Sequence, residues 1–182
     1  MSKNPWKKIA SSVDYKNPYW TVIKDRVIKP SGAKGHYYKV KVADFVVVLA
    51  LEKDKKHVNL IRQFRYVISQ NSWEVVAGLL NKGETPLQAA KRELAEETGF
   101  RAKKFTKIGF NYLSNGLTDQ GFPIYLATDL TLGEKNLDDG EADMITKKFS
   151  VKRINSMILK GEITDSPTVV AMYFLNNYLK KL

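Results

Sequence analysis

Three glutamates fall within five consecutive positions of the stretch GETPLQAAKRELAEETGF. Glu93, Glu96 and Glu97 are spaced i, i+3 and i+4, so on a helix their side chains share one face. Like charges at this spacing repel one another, and the neighbouring cations Lys91 and Arg92 are too few to neutralise them. A hard divalent cation would offset the repulsion, since Mg²⁺ binds carboxylate, water and phosphate oxygens. The alternative, on spacing alone, is a solvated acidic face.

Local signals place these glutamates on a short helix. Thr85 is a favoured N-cap, Pro86 suits the first helical position, and Gln88 completes a capping box. Gly99 supplies a left-handed stop. The sequence therefore predicts a helix over residues 86–98, whose apolar stripe consists of Leu87, Ala89, Ala90 and Leu94.

Strand signals on both sides of this helix predict the elements that must position it. In residues 1–41, the β-branched and aromatic segments YWTVIKDRVI and HYYKVKV lie between turn signals and predict a small antiparallel sheet of two or three strands. From Asp44 onward, three strand-like segments precede the helix, and three strands and two helices follow it. This order, β-β-β-α-β-β-β-α-α, predicts an α/β fold in which a mixed sheet is sandwiched between helices.

Composition excludes several classes of protein. The chain has 182 residues, of which 43% are hydrophobic, so we expect one folded domain with a small appendage. It contains no cysteine, which excludes a disulfide framework or a cysteine nucleophile and fits a reducing compartment. The N-terminal segment is charged, and the longest apolar run, FVVVLAL, is far too short to span a bilayer. We therefore expect a soluble, cytoplasmic protein with no membrane partner.

The charge balance raises the question of a nucleic-acid partner. The chain carries 30 Lys and Arg against 19 Asp and Glu, a net charge of +11. Such a balance suits nucleic acid or a smaller anionic substrate. The lysines are scattered, however, and no Arg-rich block or RNA-binding aromatic signature occurs. We therefore favour a solubilising positive surface over nucleic-acid binding.

The segment GLLNKGETPLQAAKRELAEETGF, which begins at Gly78, matches each fixed position of the 23-residue Nudix box. The chain thus resembles the Nudix hydrolases, which implies an α/β/α sandwich that cleaves a nucleoside diphosphate linked to another group. The implied cofactor is Mg²⁺, with Mn²⁺ as an alternative. Arg92 and Glu84 would orient the ligand carboxylates and the loop before the helix. The implied metal ligands are Glu93, Glu96, Glu97 and the carbonyl of Ala77. Glu93 and Glu97 are also candidate catalytic residues.

A second stretch narrows the resemblance. RQFRYVISQNSWEVVAGLL, residues 62–80, is similar to the corresponding part of the branch that hydrolyses ADP-ribose and other nucleoside diphosphate sugars. This similarity implies that Arg65 clamps the substrate pyrophosphate, which a planar guanidinium binds well. It also implies that Glu74 lies near the metal or the nucleotide. The alternative for Arg65 is an exposed surface arginine.

The N-terminal sheet also resembles this branch, in which it is exchanged between the two subunits of a homodimer and helps to form the nucleobase pocket. Residues 1–41 would then be a dimerisation and base-binding subdomain, and residues 42–182 the Nudix hydrolase domain. Trp20 and Tyr38 are the candidates for stacking on the base. Ordinary sheet packing is the alternative for each, and the further aromatic candidates are Trp6, Tyr19 and Tyr37.

Hydrolysis needs a general base to activate water. In this branch the base comes from a loop after the sheet, and NLDDGEADMITKKFS, residues 136–150, corresponds to that loop. The resemblance makes Glu141 the first candidate for the base, with Asp138 and Asp139 as alternatives. Without the resemblance, the same segment would be interpreted as an acidic surface turn.

Some positions depart from the ADP-ribose pattern. Asn115 stands where that pattern has proline, Gln120 replaces a frequent glutamate, and Val76 also replaces a common proline. We therefore expect Mg²⁺-dependent hydrolysis of several nucleoside diphosphate sugars, ADP-ribose and ADP- or GDP-hexoses, to a nucleoside monophosphate and a sugar phosphate. The alternatives are an RNA-end pyrophosphohydrolase and a non-catalytic Nudix ligand-sensing module. Such modules often lose carboxylates of the box, whereas this chain retains all four.

Overall fold

The computed structural model of this protein describes residues 3–137 and 139–181. The chain forms two compact units. The first, which we call the N-terminal unit, consists of Met1–Asp44 and Tyr112–Gln120. The second, which we call the main unit, consists of Phe45–Asn111 and Gly121–Leu182.

The N-terminal unit contains a three-stranded antiparallel sheet. Its strands are β1 (Lys7–Lys16), β2 (Trp20–Ile28) and β3 (Lys34–Val42), in the order β1-β2-β3. Of the residues in these strands, only Asp25 and Val27 are buried. A sheet with so few buried side chains has little apolar burial to stabilise it.

The segment 112–120 folds against β3 in this unit. The backbone N–H of Val40 donates to the carbonyl of Leu117 at 2.9 Å. The hydroxyl of Tyr37 donates to the carbonyl of Gly116, also at 2.9 Å. These bonds satisfy backbone groups at the edge of the sheet, which would otherwise face solvent.

The main unit contains a mixed sheet of seven strands. Its order is β10-β5-β4-β9-β8, with β6 paired to β5 and β7 paired to β4. Strand β4 is parallel to β9 but antiparallel to β5 and β7. The strands are β4 (Phe45–Leu51), β5 (His57–Arg65), β6 (Gln70–Glu74), β7 (Val76–Leu79), β8 (Phe100–Tyr112), β9 (Gly121–Leu132) and β10 (Ile145–Ser150).

Helices cover both faces of this sheet. They are α1 (Pro86–Thr98), α2 (Val151–Leu159) and α3 (Ser166–Leu179). Every residue of β4 is buried, as its uninterrupted apolar run requires. Alternate residues of β4 enter two separate cores, one with Ala90 and Leu94 of α1 and one with residues of α2 and α3. The expected α/β/α sandwich is confirmed. None of the helices described is long and apolar enough to cross a bilayer.

Helix α1 has the predicted bounds, but one of its residues is placed differently. Leu87 was predicted to belong to the apolar stripe and is instead 39% exposed, so that prediction is wrong. The buried face includes Glu93 and Glu97 besides the apolar residues. Leu87 lies on the same face as Leu94, seven residues further on, but in the first turn, where the helix begins.

Candidate active site

The two ends of α1 are fixed by local hydrogen bonds. The backbone N–H of Gln88 donates to the hydroxyl of Thr85 at 3.3 Å, and the backbone N–H of Thr85 donates to the side chain of Gln88 at 2.9 Å. Gly99 ends the helix in the left-handed region, with φ of 73°. The capping box and stop predicted from sequence are both present, and they fix where α1 begins and ends.

Arg92 ties the loop before α1 to the carboxylates on the helix. Its Nε and Nη2 donate to the two carboxylate oxygens of Glu84 at 2.9 and 2.8 Å, and Nη2 also donates to the carbonyl of Leu79 at 3.0 Å. Its Nη1 donates to Glu93 at 2.6 Å and to Glu96 at 3.0 Å. Hydrogen bonding to Arg92 lowers the pKa of Glu84 to about 2. One cation faces several carboxylates, so the cluster keeps a net negative charge.

Glu97 is a buried carboxylate that lacks a complete set of partners. Its side chain accepts a hydrogen bond from the backbone N–H of Ala77. Its second oxygen, Oε2, is buried and has no hydrogen-bond partner among the residues that the structure describes. Burial raises the pKa of Glu97 well above its ordinary range, and the charges of Glu93 and Glu141 raise it further. A buried, unpartnered carboxylate oxygen is costly unless a ligand meets it.

Glu93 lies against the backbone of β7. It is 9% exposed, and burial raises its pKa, although hydrogen bonding to Arg92 opposes that effect. A Cβ added at Gly78 would overlap the carboxyl group of Glu93. Gly78 therefore provides space for this carboxylate, whereas Gly83, with φ of 82°, supplies a left-handed bend in the loop.

Glu141 comes to this cluster from a distant part of the chain. It ends a short 3₁₀ turn, Asp139–Glu141, in the connection between β9 and β10. Its charge raises the pKa of both Glu93 and Glu97, so its carboxylate is within electrostatic reach of both. Of the alternative bases, Asp138 lies outside the described residues, and Asp139 begins the turn.

These donors fit a hard divalent cation. They are carboxylate oxygens, one of them buried and unpartnered, in a cluster of net negative charge. Within residues 3–137 and 139–181, no three acidic or histidine side chains already converge on one point. Water and phosphate oxygens would complete the coordination, as is usual for Mg²⁺.

Arg65 and Glu74 form a close pair beside the cluster. Nε of Arg65 donates to Glu74 at 2.9 Å, and Nη2 donates to the second carboxylate oxygen. The side chain of Glu74 is 4% exposed, whereas that of Arg65 is 46% exposed. The charges of Arg65 and Glu97 each act on the pKa of the other, so these side chains are near each other. Arg65 is thus held in place by a buried carboxylate, and both residues line a cavity of about 390 Å³.

The aromatic candidates of the N-terminal unit lie on opposite faces of its sheet. Trp20 packs on Tyr15, with ring centroids 5.2 Å apart, and Tyr38 lies opposite Lys24 on the neighbouring strand. Tyr37 follows Tyr38 directly, so its side chain points to the other face, where it meets the ring of Trp6 at 5.6 Å. Trp20 and Tyr38 therefore share one face, and the alternatives Trp6 and Tyr37 share the other. Tyr19 is 77% exposed.

Sequence reasoning missed a buried link between α3 and the strands that carry Glu74 and Ala77. The hydroxyl of Thr168 donates to Asp165 at 2.6 Å and accepts from the backbone N–H of Val75 at 2.9 Å. Val75 lies between β6 and β7. The letters DSPT indicate a helix N-cap at Asp165, but no pattern in the sequence joins residue 168 to residue 75.

Known proteins resemble this chain over most of its length. A family model described as NUDIX domain matches residues 41–170. The ADP-ribose pyrophosphatase of Bacillus subtilis (strain 168) is 33% identical over 147 residues, which cover 80% of this chain and 79% of that protein. The ADP-ribose pyrophosphatase of Mycobacterium tuberculosis (strain ATCC 25618 / H37Rv) is 27% identical over 174 residues, covering 94% and 84%.

A solved structure shares the fold. It is described as the crystal structure of ADP compounds hydrolase and superposes with a TM-score of 0.86, covering 100% of this chain and 97% of that one. Its sequence identity is 19%, so the likeness concerns the fold alone.

Proposed function

Because this chain belongs to the NUDIX family, we propose that it hydrolyses the pyrophosphate bond of nucleoside diphosphate sugars. The products are a nucleoside monophosphate and a sugar phosphate. The observation that carries this proposal is the unpartnered, buried oxygen of Glu97, near both Glu93 and Glu141. Among the described residues, Arg92 and Arg65 offset this concentration of negative charge only in part, and a bound cation would offset more of it.

Different residues of the main unit have different roles in the proposed reaction. Glu93, Glu96, Glu97 and the carbonyl of Ala77 would hold the cation, for which Mg²⁺ is our first choice and Mn²⁺ the second. When bound, the cation lowers the pKa of water and neutralises phosphate charge. Arg92 orients Glu93 and Glu96 through its two short hydrogen bonds.

Two side chains act on the water and the substrate. Glu141 accepts the proton of the attacking water, since its carboxylate lies near the candidate metal ligands. Arg65, whose side chain is 46% exposed, binds the pyrophosphate with its guanidinium, while Glu74 holds the arginine in place. The reaction therefore combines a general base, a cation site and a fixed guanidinium.

The proposed substrates are ADP-ribose and ADP- or GDP-hexoses. The two curated relatives named above are ADP-ribose pyrophosphatases, which supports an ADP-sugar. Asn115 and Gln120 depart from the ADP-ribose pattern, which supports a wider range of sugars. Stacking of the base on Trp20 and Tyr38 would add binding energy that does not depend on the sugar.

We further propose a homodimer that exchanges the N-terminal units. The strands of this unit bury only two side chains, so a second copy would supply apolar contacts that its sheet lacks. Light scattering coupled to gel filtration tests this assembly. A mass of one chain, 20.7 kDa, would contradict it.

The test of the function compares wild type with Glu97→Gln on a panel of substrates. With Mg²⁺ at millimolar concentration, we expect wild type to release product from ADP-ribose and several nucleotide sugars. Glu97→Gln should lower kcat by at least about 100-fold, because it removes a cation ligand. Its unfolding free energy without metal should be unchanged or higher, because a buried charge is removed. The matched control is Glu162→Gln, which makes the same change in a surface ion pair with Arg153.

Three results would contradict the proposal in different ways. A near-normal rate in Glu97→Gln would show that this carboxylate does not hold the cation. Binding of ADP-ribose without turnover by wild type would indicate a ligand-sensing module. Faster cleavage of triphosphorylated or capped RNA than of any nucleotide sugar, with RNA affinity that falls steeply with salt, would indicate an RNA-end hydrolase.

A further inference from the structure

The connection between β9 and β10 carries Glu141 and is attached at both ends to the core beneath α1. Leu137 packs against the apolar cluster that includes Ala90 and Leu94 of α1. Met144, which is 4% exposed, belongs to the same cluster. Glu141 therefore lies on a span that begins and ends on the helix side of the sheet.

The start of this connection is bonded to the C-terminal end of α1. The backbone N–H of Gly133 donates to the carbonyl of Gly99 at 2.8 Å, and that of Asn136 donates to the carbonyl of Glu96 at 3.1 Å. Such carbonyls have no partner within the helix, so these bonds satisfy them. Glu96 thus accepts a backbone bond from the connection that carries the candidate base while its side chain belongs to the carboxylate cluster.

One side-chain hydrogen bond joins the two ends of the connection between β9 and β10. Nζ of Lys135 donates to Oγ1 of Thr146 at 2.8 Å. Lys135 precedes Glu141 and Thr146 follows it, so the bond joins the incoming and outgoing chain. Thr146 is itself fixed within the sheet, where it pairs with Ile61 of β5.

The ammonium group of Lys135 bonds to Thr146 and also interacts with the charge of Glu97. Thr146 is the residue that the ammonium group contacts directly. Desolvation lowers the pKa of Lys135, and the negative charge of Glu97 partly opposes that effect.

We propose that Lys135 is a positioning residue. Its bond to Thr146 holds the two ends of the connection together so that Glu141 meets Glu93 and Glu97. The proposal rests on the proposed function only in assigning the base to Glu141. A solvated surface lysine would have no such effect on Glu141. The two readings differ in what removal of either partner does to the connection as a whole.

The test uses variants that remove one partner at a time. Lys135→Met keeps much of the stem and removes the donor, and Thr146→Val keeps the shape and removes the acceptor. Thr146→Ser retains a hydroxyl and serves as the conservative rescue. Lys148→Met removes a positive charge from an exposed position of β10 and serves as the charge control.

Two readouts are needed, one of them independent of catalysis. Hydrogen exchange of the metal-free protein should rise about 3- to 10-fold in peptides covering residues 136–144 for Lys135→Met and Thr146→Val. Their kcat should fall by a similar factor with little change in KM, because binding residues are untouched. Thr146→Ser and Lys148→Met should match wild type in both measurements.

The outcomes separate this proposal from the proposed function. Unchanged exchange in Lys135→Met and Thr146→Val would overturn it whether or not the protein is active. Faster exchange with unchanged kcat would also overturn it, provided that Glu141→Gln is slow. If wild type turns over no substrate, the proposed function fails, and the exchange measurements alone uphold or overturn the role of Lys135.

Discussion

At the scale of single residues, the site depends on how Glu93 and Glu97 are buried. Glu97 has an oxygen without a partner, and Glu93 lies directly against Gly78. Both carboxylates have a raised pKa because burial disfavours their charged forms. The stability that other contacts give to α1 therefore offsets a local cost that only a ligand removes.

Gly78→Ala tests this close contact. The added methyl group would overlap the carboxyl group of Glu93, so we expect the carboxylate to move away from the cluster. The apparent affinity for Mg²⁺ should fall about 10- to 100-fold, as measured by titrating activity or by Mn²⁺ binding. The control is Gly116→Ala, where an added Cβ meets nothing within 4 Å. Equal affinities in the two variants would show that Glu93 does not need this space.

At the scale of elements, the ends of α1 are fixed by residues of the helix segment itself. The chain between β6 and β7 is instead bonded to α3, which is distant in sequence. The capping box at Thr85 and the stop at Gly99 lie within the helix segment itself. In contrast, the backbone N–H at Val75 is bonded to Thr168 of α3, which is 0% exposed. Helix α3 therefore sets the path of the chain between Glu74 and Ala77.

Thr168→Val tests that link. Valine keeps the shape but leaves the buried N–H of Val75 without a partner, so we expect a loss of about 1–3 kcal/mol in unfolding free energy. Asp165 loses the bond from the hydroxyl but keeps the one from the backbone N–H of residue 168. Urea unfolding of the metal-free protein measures this loss. Thr168→Ser, which retains the hydroxyl, should recover most of it. A valine variant as stable as wild type would mean that another group satisfies the backbone of Val75.

Features of an element that depend on neighbouring residues were predictable from the sequence, whereas contacts between distant residues were not. The bounds of α1 follow from residues close together in the chain, and both ends were predicted correctly. The approach of Glu141 to Glu97 was expected only through resemblance to a family, because no local pattern joins positions so far apart. Leu87 was assigned wrongly because helical spacing identifies a face but does not show whether the first turn of that face is covered by the sheet. No pattern in the sequence predicts the bond from Lys135 to Thr146, because lysine and threonine are both common on protein surfaces.

At the scale of the whole molecule, the two units differ in how they are stabilised. The main unit has two apolar cores, one on each side of its sheet. The N-terminal unit buries Asp25 instead, which accepts a hydrogen bond from Ser11 and pairs with Lys39 at 2.9 Å. Hydrogen bonding to Ser11 and Lys39 lowers the pKa of Asp25 below its ordinary value of 3.8. The smaller unit therefore depends more on a charged contact.

Asp25→Asn should destabilise the N-terminal unit in a pH-dependent way. Because the pKa of Asp25 is lower in the folded state, its ionised form stabilises the fold above pH 3.8, and this contribution is lost as the pH falls through the lowered pKa. At pH 7 we expect a loss of about 1–2 kcal/mol, followed by urea unfolding with the fluorescence of Trp6 and Trp20. The loss should shrink below pH 3.8. Asp14→Asn, an exposed change on β1, is the control, and an equal loss there would contradict the assignment.

The membership of segment 112–120 in the N-terminal unit has a consequence for synthesis on the ribosome. The hydroxyl of Tyr37 reaches its partner at Gly116 across 79 positions of the chain. At roughly 5–20 residues per second, the segment emerges roughly 4–16 s after β3 does. During that interval the edge of β3 at Val40 has no partner from this segment. The nascent chain therefore exposes an open strand edge, the kind of surface that chaperones bind and that pairs wrongly with other unfinished chains.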